Sequence, residues 1–77
     1  MKLNIISPEK ILFSGDVNAV TLPGTMGSFT VLKDHAPIIS GLEEGTIIYS
    51  LDGNEISQPV NSGFVEVKSN IITICVE

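Results

Sequence analysis

Apolar and polar residues alternate with a period of two along most of the chain, and turn residues interrupt this pattern about every eight to twelve positions. No window shows the 3.6-residue period of an amphipathic helix. The pattern predicts short strands at residues 2–6, 11–13, 17–22, 28–32, 38–42, 46–51, 54–60, 64–68 and 71–76. Such spacing is typical of an all-β fold, an antiparallel β-sandwich or flattened barrel of about eight to ten short strands.

Two turns stand out in this pattern. Asp52-Gly53 is the strongest hairpin signal, because a type I′ turn needs positive φ at both central residues. The return strand contains Pro59, which cannot donate a ladder hydrogen bond, so that strand is predicted at an edge or to end in a bulge. Residues 23–37 combine a loop with two glycines, a strand and a His-Ala-Pro corner, and are predicted to form a rigidly mounted surface feature.

The strand assignments predict more apolar residues than one core needs. The core-facing set is Leu3, Ile5, Val20, Leu22, Phe29, Val31, Ile47, Tyr49, Val65, Val67, Ile72, Ile74 and Val76. The opposite faces would then carry Ile6, Leu32, Ile39, Ile48, Phe64, Ile71 and Cys75. Either some of these lie under neighbouring strands and loops, or they form a docking surface for another protein.

Size and charge narrow the possible functions. The 77 residues form one domain. A folded domain of this length is only marginally stable, so binding to a permanent partner would stabilise it. Four basic residues and a net charge of −5 leave no cationic surface for nucleic acid. A single cysteine cannot form an internal disulfide, and the chain has no signal-peptide pattern or bilayer-length apolar segment. These features predict a soluble cytoplasmic protein.

Candidate catalytic groups are few. His35 is the only histidine, and adjacent residues on an extended chain point to opposite sides, so Asp34 is badly placed to orient its imidazole. An interface role, a corner-stabilising role or an incidental surface position for His35 remain open.

The other candidates have simpler explanations. Ser14-Gly15 and Ser62-Gly63 lack the pattern of a nucleophile elbow, and residues 24–27 lack the lysine and helix of a phosphate loop. Glu43-Glu44 is explained by a polar turn, and no basic residue lies near Cys75 in sequence to activate its thiol. The sequence predicts no enzyme, no cofactor and no metal site.

The order of short motifs resembles a known family over essentially all 77 residues. The carrying segments are Leu3 to Ser7 with Pro8-Glu9, then Leu12-Phe13-Ser14-Gly15, Val20 to Gly27, His35-Ala36-Pro37-Ile38-Ile39, Glu44-Gly45 before Ile47, and Gly63-Phe64-Val65-Glu66-Val67. Together they are similar to the N-terminal β-sandwich domain of the epsilon subunit of F-type ATP synthases, spanning residues 1–77.

This resemblance implies a non-catalytic rotor subunit of the central stalk, which docks gamma onto the c ring and helps couple proton translocation to ATP synthesis or hydrolysis. It implies a peripheral location on the cytoplasmic side of the bacterial inner membrane. Carried over by motif, the c-ring contact would consist of Gly24, Thr25, Met26, Gly27, Ser28 and Phe29. The resemblance, together with the apolar residues predicted to face away from the core, implies a gamma contact that would consist of His35, Ala36, Pro37, Ile38, Ile39 and Phe64.

The chain departs from the family at a few positions. Ser28 stands where an acidic residue is usual and Thr30 where glycine is usual, so hydroxyl hydrogen bonds could take the place of a charged c-ring contact. Asp34 replaces a usual Gly or Asn, and all three tolerate a left-handed backbone. The family commonly continues into two helices, so an end at Glu77 implies a naturally short form or an excised domain without hairpin-based inhibition or ATP binding; the clean end of the last strand favours the short form.

Other classes fit less well. A lipoyl or biotinyl carrier domain is also all-β, but it needs a lysine at the tip of a tight hairpin, whereas Lys33-Asp34 lies at a strand end. A carbohydrate-binding sandwich would use an aromatic platform, and the chain has no Trp and only Tyr49. Another small β-sandwich interaction module remains the general alternative.

Overall fold

The computed structural model describes residues 1–77 as nine β-strands joined by short turns. The strands are β1 (Lys2–Ile6), β2 (Ile11–Asp16), β3 (Ala19–Gly24), β4 (Gly27–Val31), β5 (Ile38–Leu42), β6 (Gly45–Leu51), β7 (Asn54–Val60), β8 (Gly63–Lys68) and β9 (Ile71–Val76). The predicted all-β class and strand number are confirmed.

Hydrogen bonding links the strands in the order β2-β1-β9-β8-β5-β3-β6-β7, with β4 paired to β3. The only β3–β5 pair is Gly24 with Leu42, so the sheet bends sharply there. We call β2, β1, β9, β8 and β5 the first layer, and β4, β3, β6 and β7 the second layer. Phe13 and Tyr49, one from each layer, have ring centroids 4.5 Å apart, which shows that the layers pack face to face.

One pair departs from the antiparallel rule. β1 lies parallel to β9, in a register that runs from Lys2 opposite Ile71 to Ile6 opposite Cys75. A period-two pattern is the same for parallel and antiparallel neighbours, so the sequence pattern could not reveal this orientation. The parallel pair brings the first and last strands together at the centre of the first layer.

The two layers share one hydrophobic core. Every predicted core residue is buried except Phe29, which is half-buried and packs against the core. Val17, Leu42 and Val60 are also buried, although the strand pattern did not select them. They lie at or next to strand ends, where the chain closes over the edges of the core.

Strand ends differ from the prediction in the first part of the chain. β2 runs through Ser14-Gly15 to Asp16, because Gly15 and Ser14 pair with β1 instead of forming a turn. β3 begins at Ala19 and continues through Pro23-Gly24, since β4 continues the pairing there.

The predictions for the Asp52-Gly53 turn and for the strand that follows it are confirmed. Asp52 and Gly53 have φ of 50° and 83°, the positive values that a type I′ turn requires. β7, which contains Pro59, is the last strand in the hydrogen-bonded order, so its predicted edge position is confirmed.

Candidate functional site

A row of apolar residues crosses the outer face of the first layer. The strand register places Ile11, Ile6, Cys75, Phe64 and Gly41 side by side on β2, β1, β9, β8 and β5. Phe64 is 53% exposed and Ile11 is also exposed, while Ile6 and Cys75 are half-buried. This apolar row faces away from the core and has no covering strand.

A second row beside it mixes polar and apolar groups. Asn4, Thr73, Glu66 and Ile39 are neighbours across β1, β9, β8 and β5. Ile39 is 75% exposed and lies diagonally from Phe64, at a separation of about 7–8 Å for such pairs. Ile39 and Phe64 therefore form one apolar surface, as expected of residues on a shared outer face.

All three surface grooves of the molecule lie on this face or at its ends. The largest, about 480 Å³, is lined by Pro37, Ile38, Ile39, Glu66, Val67 and Lys68. A second of about 220 Å³ lies against Phe64, Cys75 and Ile6, and a third of about 290 Å³ lies against Glu66 and Ile71. The face is thus indented, and the exposed Ile39 and Phe64 on it favour contact with a protein surface.

The outer face of the second layer has a different character. Thr30, Thr21, Ile48 and Ser57 lie side by side on β4, β3, β6 and β7, and the hydroxyl oxygens of Thr21 and Thr30 are 2.9 Å apart. Ile48 is half-buried among them. Of the apolar residues predicted to face away from the core, Ile6, Ile48 and Cys75 are therefore half-buried. Those that are exposed within strands, Ile39, Phe64 and Ile71, all belong to the first layer.

The segment predicted to meet a c ring forms the tip of the β3–β4 hairpin. Gly24 pairs with Gly27, and Met26 between them is 97% exposed. The Phe29 ring packs over Gly24, so closely that a Cβ atom at position 24 would lie 2.8 Å from Phe29 Cε1. The Thr25 N–H donates to the Gly41 carbonyl at 3.0 Å, which fixes the tip to β5. Ser28 is exposed on the outer face of this hairpin.

The His-Ala-Pro corner lies at the other end of β4. The His35 N–H donates to the Leu32 carbonyl at 3.1 Å, and His35 Nδ1 lies 2.7 Å from the Ala36 carbonyl oxygen. Ala36 and Pro37 are exposed. The hairpin tip and the His-Ala-Pro corner therefore lie at opposite ends of β4, which spans roughly 17 Å for five residues.

Two of the predicted corner contacts differ in orientation. Ile38 pairs with the buried Val67 and packs against the core, so its side chain points inward. Ile39, the next residue, points outward. Of the β5 and β8 residues expected to contact gamma, Ile39 and Phe64 are the exposed ones.

The structure does not place the candidate catalytic side chains in contact with one another. The Asp34 carboxylate accepts a hydrogen bond from Asn70 Nδ2 at 3.0 Å and makes none to His35. No three His, Cys, Asp or Glu side chains lie close enough to hold a metal ion. Burial raises the pKa of the Tyr49 phenol, but Tyr49 packs in the core away from the grooves.

Lys33, the lysine considered for a carrier domain, lies in the connection between β4 and β5. Neither hairpin with positive φ at both central residues, Asp52-Gly53 or Ser69-Asn70, has a lysine at its centre. No helix in the structure has the length and apolar character that crossing a bilayer requires.

Sequence reasoning missed three residues of this region. Glu66 and Lys68 line the largest groove, and Asn70 binds Asp34 across the fold. The alternation on β8 could have identified Glu66 and Lys68 as outward-facing neighbours of Phe64. Nothing local indicates Asn70, because Ser69-Asn70 is also an ordinary hairpin turn.

Comparisons with known proteins agree with the fold and with the resemblance found in the sequence. The family model described as ATP synthase, Delta/Epsilon chain, beta-sandwich domain matches residues 1–77. An ATP synthase epsilon chain of a Sulfurovum species is 42% identical over 78 residues, which cover 100% of this chain and 61% of the relative. That of Chlorobium limicola is 43% identical over 70 residues, which cover 90% and 80%.

Solved structures share the fold at lower identity. A chain of the Euglena gracilis mitochondrial ATP synthase, in an OSCP/F1/c-ring structure, superimposes with a TM-score of 0.90 at 19% identity and covers 96% of this chain and 48% of that one. A chain of the Tetrahymena thermophila mitochondrial ATP synthase central stalk and c ring gives 0.83 at 17%, covering 97% and 61%. This chain spans about three fifths of the first curated relative. With a family model that matches every residue, the chain belongs to the family of ATP synthase delta/epsilon chain β-sandwich domains.

Proposed function

We propose that this chain is a non-catalytic central-stalk subunit of an F-type ATP synthase, one that docks the gamma subunit onto the c ring and helps couple proton translocation to ATP synthesis or hydrolysis. Its location would be the cytoplasmic side of the bacterial inner membrane, as a peripheral part of the complex. The observation that carries the proposal is the apolar, grooved outer face of the first layer. Family membership supplies the identity of the partners.

The gamma contact uses that outer face and the adjoining corner. Ile39 and Phe64 supply its exposed apolar surface, and His35, Ala36 and Pro37 extend it at one end. A standard interface takes about 800 Å² from each partner, about a sixth of the 4644 Å² surface of this chain. One face of a sandwich this size can supply that area.

The c-ring contact uses the tip of the β3–β4 hairpin. Met26 is almost fully exposed there, and Thr25 and Ser28 offer hydroxyl groups to the polar loops of a c ring. The tip is stiffened by the bond from Thr25 to Gly41 and by the Glu43 N–H, which donates to the Pro23 carbonyl at 2.9 Å. A stiff tip suits a part that transmits torque, because a flexible one would absorb the motion.

Binding to purified gamma subunit tests the gamma contact. Ile39→Glu or Phe64→Glu would place a charge in the buried centre of the interface, so each is expected to abolish association while the circular dichroism of the free chain stays unchanged. Ser57→Glu is the matched control, since it adds the same charge to the outer face of the second layer and is expected to bind like the parent chain. Normal binding by both the Ile39→Glu and the Phe64→Glu variants would count against the proposal.

A further inference from the structure

A pair of side chains joins two distant turns beside the proposed gamma contact. The Asp34 N–H donates to Asn70 Oδ1 at 2.7 Å, and Asn70 Nδ2 donates to Asp34 Oδ1 at 3.0 Å. The two residues are 36 positions apart in sequence. Asp34 lies in the connection that contains the His-Ala-Pro corner, and Asn70 lies in the β8–β9 turn. We call this pair the Asp34–Asn70 clasp.

The clasp lies where the ladder between β5 and β8 has ended. The first pair of that ladder is Ile38 with Val67, and the preceding residue, Pro37, has no N–H to donate. The hydrogen bonds of the clasp are the only ones that join residues 33–37 to residues 68–70. The 480 Å³ groove has one wall from each segment, Pro37 to Ile39 and Glu66 to Lys68.

The backbone conformations of Asp34 and Asn70 are compatible with two tight turns held in fixed positions. Asp34 and Asn70 have φ of 65° and 62°, in the left-handed region that Asp and Asn tolerate better than most residues. The Asn70 carbonyl also accepts the Lys2 N–H at 2.9 Å, so the Asn70 turn is anchored to β1. The clasp thus ties a corner with few bonds of its own to the centre of the first layer.

We propose that Asp34 and Asn70 are positioning residues, which hold the His35-Ala36-Pro37 corner in the conformation that the gamma subunit binds. This inference rests on the proposed function. Without the clasp, the corner would be held only by two local contacts, the His35–Leu32 turn bond and the contact of His35 Nδ1 with the Ala36 carbonyl, and by its chain connections to β4 and β5. A fraction of molecules would then hold the corner in other conformations, and the apparent affinity for the partner would fall by that fraction.

Asn70→Gly is the direct test, because glycine keeps the positive φ and the backbone bond to Lys2 and removes only the side chain. We expect binding of purified gamma subunit to weaken about fivefold if one of the two bonds holds the corner and up to about twenty-fivefold if both do, at about fivefold for each hydrogen bond. Asp34→Gly removes only the bond from Asn70 Nδ2, because the backbone N–H of residue 34 can still donate to Asn70 Oδ1, so it should weaken binding less, by about fivefold. Added to Asn70→Gly it should change little further, since that variant already lacks both bonds. Asp34→Asn keeps the acceptor oxygen and the left-handed backbone, and it should retain affinity.

Asn18→Ala is the matched control. Asn18 Oδ1 accepts the Asp52 N–H at 3.2 Å, so Asn18 also joins two distant turns, but Asp52 lies in the β6–β7 hairpin of the second layer. It is expected to lower thermal stability slightly without changing gamma affinity. Amide hydrogen exchange of the free chain gives a second reading: in the Asn70→Gly variant the Asp34 and His35 amides should exchange at least about fivefold faster.

The outcomes separate this inference from the proposed function. If Ile39→Glu abolishes gamma binding but Asn70→Gly binds within twofold of the parent chain, the clasp does not position the corner, and the proposed function stands. The exchange measurement needs only the free chain: if the Asp34 and His35 amides of the Asn70→Gly variant exchange at the parent rate, the inference is overturned. If Ile39→Glu and Phe64→Glu both bind normally, the proposed gamma contact fails, and the role of the clasp fails with it.

Discussion

Gly63 begins β8 and leaves no room for a side chain against β9, so replacing it with alanine should damage the fold severely. Gly63 pairs with Val76 at the start of β8. A Cβ atom at position 63 would lie 2.2 Å from the Cys75 carbonyl oxygen, which belongs to the backbone and cannot turn away. Ordinary contact begins at 3.4 Å, so the two strands would have to separate locally by about 1.2 Å, the difference between these two distances.

That separation sets the size of the effect. The Glu77 N–H donates to the Ser62 carbonyl at 3.0 Å, and lengthening this bond by about 1.2 Å would break it. Losing this bond and a neighbouring ladder bond costs about 2 kcal/mol, and the residual overpacking adds at least about 1 kcal/mol. The total of about 3 kcal/mol is a large part of the roughly 4–12 kcal/mol expected for a domain of 77 residues.

Thermal unfolding followed by circular dichroism measures this loss. At about 4–8 °C per kcal/mol for a domain of this size, Gly63→Ala should lower Tm by about 12–24 °C. Gly15→Ala is the control, because the nearest atom to its Cβ is the tip of the Phe13 ring at 3.2 Å, which can shift, and its Tm should fall by a few degrees at most. A Gly63→Ala chain that melts within about 2 °C of the parent would show that β8 and β9 accommodate a Cβ atom at position 63.

Three further predictions concern stability. Ile74→Ala empties a fully buried site and should lower the free energy of unfolding by about 2–5 kcal/mol in urea titrations, whereas a loss below about 1 kcal/mol would contradict the core assignment. Because burial raises the Tyr49 pKa above 10.0, its contribution to stability is complete below pH 10 and is lost as pH rises through the folded pKa; absorbance titration of this single tyrosine should show the raised value, and Tyr49→Phe should remove that part of the alkaline destabilisation. Gly53→Ala should cost about 1 kcal/mol at φ 83°, and Gly53→Asn should cost less, because asparagine tolerates that backbone; equal Tm values for the two variants would argue against a left-handed Gly53.

Much of the fold could be predicted because strand periodicity and burial have the same cause. A residue on the inner face of a two-layer sheet must be apolar, so alternation located Leu22 and Ile74 in the core without any knowledge of their neighbours. The Asp52-Gly53 turn was equally accessible, since few residue pairs accept positive φ twice. The same alternation placed Ile39 and Phe64 on an outer face.

The remaining features depend on contacts between segments that are distant in sequence. The parallel pairing of β1 with β9 joins the two ends of the chain, and nothing in either strand specifies its neighbour. Ile38 could not be assigned to the core until β5 was placed beside Val67. The bond between Asp34 and Asn70 likewise arises only when the β4–β5 connection and the β8–β9 turn meet.

The outer face of the first layer is the proposed docking surface for the gamma subunit, and Cys75 lies on that face. Cys75 is the only cysteine and lies in the apolar row between Ile6 and Phe64. Its alkylation by iodoacetamide can be timed with and without saturating gamma subunit, beside a Cys75→Ser, Ser57→Cys chain whose thiol lies on the second layer. We expect gamma to slow the reaction of Cys75 at least about tenfold and to leave the reaction of the thiol at position 57 unaffected. Equal rates at Cys75 in the free chain and in the assembled complex would contradict docking at this face.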